Sequence, residues 1–96
     1  MIEQQTVPSA GQPSVLTRAA VIVQIEARLA GQLDDAALAA WAFDRFYAIE
    51  LDQEHYEAGA EQVIADALDT LMFDDDPDFQ LDQEELRALA AQLGKV

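Results

Sequence analysis

Cysteine is absent from the chain. That excludes a disulfide framework, a thiolate metal site and a cysteine nucleophile. Histidine occurs once, at His55, too sparse for a His-rich metal site or a His-pair mechanism. Positive charge is scarce, with 5 Lys+Arg against 19 Asp+Glu and a formal net charge of −14. Nucleic acid and anionic membrane are polyanions, so this charge disfavours both as direct partners. No apolar run approaches the roughly 18 residues needed to cross a bilayer. The first residues, MIEQQTVPSAGQPS, lack a basic start and a long apolar segment, so they do not read as a secretory signal, and the protein reads as cytoplasmic.

Catalytic hydroxyls are few as well. Besides the two tyrosines there are Thr6, Ser9, Ser14, Thr17 and Thr70. No glycine-rich phosphate loop and no E-x-x-H metal pair is present. His55 sits between Glu54 and Tyr56 without a partner nucleophile and reads as a surface histidine. The chain is therefore read as non-enzymatic.

What is present favours helix. Hydrophobic residues make up 51% of the 96, which sets the chain apart from a disordered acidic tail. Alanine and leucine supply 29 of those residues, and both are strong helix formers. The expected fold class is all-α, a compact bundle of about four short helices near 16–30, 35–49, 58–73 and 82–93. Residues 1–13, which contain Pro8, Gly11 and Pro13, read as a flexible tail ahead of a single helical domain over 14–96. No period-2 run bounded by turn residues is evident, so no strand is expected.

The helix boundaries are written in short-range signals. Thr17 reads as the first N-cap, with Leu16 and Val21 as its hydrophobic staple. Ile22, Ile25 and Leu29 follow as one helical stripe, and Gly31 stands where a left-handed residue stops the helix. Asp34 reads as the second N-cap, with Leu33 and Leu38 as staple. Leu38, Trp41, Ala42, Arg45 and Ile49 share one face of the second helix, and Phe43, Phe46 and Tyr47 an adjoining one. That width predicts a central helix packed on more than one neighbour, with Trp41, Phe43 and Phe46 in the core. Arg45 is expected to pair with an acid of the third or fourth helix. Residues 50–57 read as an acidic loop or a turn capped by Asp52. Ala60, Ile64, Ala67, Leu68 and Leu71 form the apolar face of the third helix. Asp82 with Glu85 makes a D-x-x-E capping box, Leu81 with Leu86 the staple, and Leu86, Leu89, Ala90 and Leu93 the core face of the fourth.

The charge is unevenly spread. Residues 1–49 carry a net −2 and residues 50–96 a net −12, so the acidity belongs to the second half. Such a surface suits a basic protein partner. The residues expected to contact it are Asp52, Glu54, Tyr56, Glu57, Glu61, Asp74, Asp75 and Asp76. Tyrosine tolerates a half-wet position and is common in interface hot spots.

One constellation carries metal chemistry. Residues 74–85 read DDDPDFQLDQEE, and alternate carboxylates on a curling loop can give a hard divalent cation the oxygens it needs. Asp74, Asp76 and Asp78 fall at positions one, three and five of the D-x-[DN]-x-[DN]-G-x5-E pattern, Gln80 at seven, Asp82 at nine and Glu85 at twelve. Phe79 stands at position six. The stretch FDDDPDFQLDQEELR, residues 73–87, resembles an EF-hand, and the resemblance implies a calcium site with ligands Asp74, Asp76, Asp78, Gln80 through its carbonyl, Asp82 and Glu85. The same residues also read as an ordinary solvated turn leading into the capping box. In size, helicity and charge the whole chain resembles small acidic bacterial helical immunity and inhibitor proteins, which implies a role as an interaction module.

Three functions follow as expectations. The first is a small acidic helical protein that binds a basic protein partner. The second is a single degenerate EF-hand that binds calcium. The third is an oligomeric accessory subunit that buries a face such as Trp41–Tyr47.

Overall fold

The computed structural model describes residues 14–95; the expected 1–13 tail lies outside them. The elements run β1 (Ser14–Leu16), α1 (Arg18–Leu29), α2 (Asp35–Glu50), β2 (Glu54–Tyr56), α3 (Glu61–Leu71) and α4 (Gln83–Gly94). The structure is mostly helical, as the composition indicates, and adds a small sheet.

The helices begin where side chains satisfy their first amides. The Thr17 hydroxyl accepts from the Ala20 N–H at 3.1 Å, and the Asp34 carboxylate accepts from the Ala37 N–H at 2.8 Å. At α4 the capping box is complete: Asp82 accepts from the Glu85 N–H at 2.7 Å, and Glu85 accepts from the Asp82 N–H at 2.9 Å. Each such cap contributes about 1 kcal/mol. By contrast, α3 begins at Ala60 with no side-chain cap.

Both α1 and α2 end in Schellman turns. Gly31, at φ 78°, closes the first, with Gln32 N–H donating to the Ala27 carbonyl at 2.8 Å. Asp52, at φ 63°, closes the second, with Gln53 N–H donating to the Ala48 carbonyl at 2.8 Å. Asp52 thus terminates α2 and does not cap a following turn, which corrects one reading of residues 50–57.

The strands are a further correction. β1 and β2 pair in parallel, with Ser14 opposite Glu54, Val15 opposite His55 and Leu16 opposite Tyr56. Three-residue strands are too short to show an alternating pattern, so the sequence carries no signal for them. Leu16 is therefore a buried strand residue, and the first helix starts at Arg18. The third helix is likewise shorter than expected, and the fourth runs one residue further, through Gly94.

In the core, α1 packs chiefly on α4 and α2 chiefly on α3. Val21, Ile25, Leu38, Ile64, Leu68, Leu71, Leu86 and Leu93 are fully buried, and Leu16 reaches them from β1. Trp41 and Phe46 pack half-buried against this cluster. Phe43 does not: it is 51% exposed, a correction to its expected core position. Small alanines, Ala39 and Ala42, take the buried places on α2 beside Leu38. Among the described residues no helix is long and apolar enough to cross a membrane.

Candidate functional site

Three arginines are committed inside the fold. Arg18 binds Glu57 through Nε and the terminal nitrogen, both at 3.0 Å, and its backbone N–H adds a third bond at 3.0 Å. This clamp ties the start of α1 to the end of β2, and Arg18 holds the Glu57 carboxyl down at about 2. Arg45 donates to Glu54 at 2.8 Å. Its partner is thus on β2, not on the third or fourth helix as expected. Arg28 closes the α1–α2 corner on Asp35 at 2.6 Å.

That last pair sits in a denser cluster. Gln80 donates to the same Asp35 carboxylate at 2.5 Å. Asp74 is fully buried behind it, and its Oδ1 accepts from the Leu81 N–H at 2.7 Å. Its Oδ2 meets no hydrogen-bond donor, and Asp35 is close enough to act on its charge. Burial, reinforced by Asp35, pushes the Asp74 carboxyl up to about 6, while Arg28 draws Asp35 down to about 2. The cluster is structural in placement: it holds the 72–81 turn against the α1–α2 corner.

The residues of the calcium-loop pattern are spread over several local tasks. Asp74 faces inward, Asp76 accepts from the Asp78 N–H at 2.9 Å, and Asp82 and Glu85 make the capping box. Gln80 reaches Asp35. Phe79 does not adopt the positive φ that the pattern's glycine supplies; among the described residues Asp52 is the non-glycine that does. Among the described residues no three His, Cys, Asp or Glu side chains are grouped to hold a metal ion.

The residues expected to contact a partner divide in two. Glu54 is buried on Arg45, Glu57 is clamped by Arg18 and Asp74 is enclosed. Asp52, Glu61, Asp75 and Asp76 lie at the surface, and Tyr56 is half-buried. Burial raises the Tyr56 hydroxyl above its ordinary value. His55 is exposed, its Nε2 3.7 Å from Asp52.

The sequence offered a Trp41–Tyr47 face for burial in an oligomer; the exposed apolar stripe on the outer face of α2 instead runs from Phe43 to Leu51, with Trp41 half-buried against the core. Phe43, Tyr47 and Leu51 follow at i, i+4 and i+8 and are 51%, 55% and 56% exposed. The Phe43 and Tyr47 rings stack tilted, centroids 5.8 Å apart. Beside them a cleft of about 310 Å³ is lined by Ala36, Ala40, Phe43, Met72, Asp44 and Asp75. Both charges on its wall are negative. A second apolar cleft, about 430 Å³, lies between Phe73 and Phe79 with Asp69 on its rim. The available signal for the stripe was the four-residue spacing of Phe43 and Tyr47 with Asp44 beside them; spacing alone does not say which face of a wide apolar helix meets the core. No family model, no curated protein and no solved structure matches the chain.

Proposed function

We propose that this chain is a non-enzymatic, cytoplasmic acidic binding module that takes a basic protein surface. The observation that carries the reading is how the charges divide. Arg18, Arg28 and Arg45 are engaged by Glu57, Asp35 and Glu54, while Asp52, Glu61, Asp75 and Asp76 stand at the surface without an arginine. Those four carboxylates keep their charge available to an outside cation. A field of this sign speeds encounter with a basic surface and penalises anionic competitors. Glu54, Glu57 and Asp74 take no direct part in that contact, because their carboxylates already have work inside the fold.

The test is a panel of small basic proteins displayed at physiological ionic strength. The best binder is measured against the wild type and against a variant carrying Asp52→Lys, Glu61→Lys, Asp75→Lys and Asp76→Lys. Affinity should fall by at least about a hundredfold, mostly through slower association, and should weaken with added salt. Unchanged affinity, or binding indifferent to salt, refutes the reading.

A further inference from the structure

We propose that the outer face of α2 is the docking site for a basic amphipathic helix, whose apolar side chains lie along Phe43, Tyr47 and Leu51 and whose cations meet Asp44 and Asp75. The proposal rests on the reading above and names the partner's chemistry. It begins with what α2 buries. Leu38, Ala39 and Ala42 face the core, which leaves the opposite face of a long, rigid, well-capped helix to carry three large apolar side chains in water. Scattered exposed apolar residues are ordinary, but these are collinear. At 1.5 Å per residue the stripe runs about 12 Å, two turns of a helix laid alongside. A docked helix presents residues at i, i+3/i+4 and i+7, the same pitch.

Charge then selects among occupants. The cleft beside Phe43 is walled by Asp44 and Asp75, and no lysine or arginine lines it. Glu50 lies exposed at the C-terminal end of the same helix. A second copy docking through this face would bring the acidic rim of one chain, Asp44, Asp75 and Glu50, against the same rim of the other, between two chains of net charge −14. An apolar helix without cations would leave both aspartates to be covered unpaired. A helix with leucine-like anchors flanked by lysine or arginine fills the stripe and neutralises its rim together.

The experiment uses the full chain and three fluorescent peptides: an amphipathic Lys/Leu helix, a scrambled Lys/Leu peptide of identical composition, and an amphipathic Glu/Leu helix. Binding is read by anisotropy, and the contact is mapped by amide chemical-shift changes. The Lys/Leu helix should bind, with shifts centred on residues 43–51 and 75. Phe43→Ser with Tyr47→Ser should weaken it by at least about tenfold, with helical circular dichroism unchanged because both side chains are exposed. Asp44→Asn with Asp75→Asn should remove much of the salt dependence. Equal binding of the scrambled peptide, with shifts away from α2, overturns this inference but leaves the acidic-module reading standing. Failure of both basic peptides to bind overturns both. Preferential binding of the Glu/Leu helix, or dimerisation through the stripe seen by light scattering, overturns the choice of occupant.

Discussion

Replacing Asp74 by asparagine should make this protein more stable, and more so as pH rises. The wild-type carboxyl is fully buried, with Oδ1 on the Leu81 N–H and Oδ2 without a donor. Its pKa rises from 3.8 to about 6 on folding. The native state therefore holds the proton to higher pH than the unfolded chain does. The stabilisation from that proton is complete below about 3.8 and is lost as pH climbs through about 6. A rise of this size corresponds to about 3 kcal/mol at most. Asparagine keeps the acceptor for Leu81 and carries no charge. At about pH 4 the variant should match the wild type within about 0.5 kcal/mol, and at about pH 8 it should exceed it by about 1–3 kcal/mol. With a urea slope near 1 kcal/mol/M for a chain this small, the midpoint at high pH rises by about 1–3 M. Unfolding followed by circular dichroism reads it directly. Self-repulsion of the acidic chain also weakens the fold as pH rises, but both proteins carry it, so the difference between them isolates Asp74. In strong acid both lose the Arg28–Asp35 pair together, because Asp35 is depressed to about 2 and that contribution vanishes as pH falls through this value. A variant less stable than wild type at high pH, or a gap that does not change with pH, refutes the account of Asp74 as a carboxyl whose charge is disfavoured by burial beside Asp35.

Two further predictions concern the turns and the core. Asp52 holds φ 63° where α2 ends, and Gly31 holds φ 78° where α1 ends. Asp52→Gly should stabilise the fold by about 0.5–1 kcal/mol, and Gly31→Ala, which meets no clash, should destabilise it by about 1 kcal/mol, both read from chemical denaturation. Leu71 is fully buried at the C-terminal end of α3, so Leu71→Ala should destabilise by about 2–5 kcal/mol, enough to unfold much of a domain this small near physiological temperature. Phe79→Ser, at an exposed site, should stay within about 0.5 kcal/mol of wild type. Comparable losses for the two in thermal melts would place the core elsewhere.

The short-range features of this protein are legible in its sequence because their causes are short-range. Thr17, Asp34 and Asp82 cap helices by reaching amides three residues ahead. The turn at Gly31 likewise depends on a few neighbouring residues, so spacing in the sequence is spacing in the bond. Other features rest on partners that only the folded chain brings together. Arg18 finds Glu57 across 39 positions, and Gln80 finds Asp35 across 45. Ser14 pairs with Glu54 through backbone groups that every residue possesses, so no residue type announces the strand. Acidic residues look alike in sequence, yet burial makes Asp74 a structural carboxyl, ion pairs occupy Glu54 and Glu57, and Asp75 and Asp76 stay at the surface. The same holds for the wide apolar band of α2. Its periodicity predicts a helix, but only packing decides that the face with Leu38, Ala39 and Ala42 is buried, and that choice leaves Phe43 and Tyr47 in water.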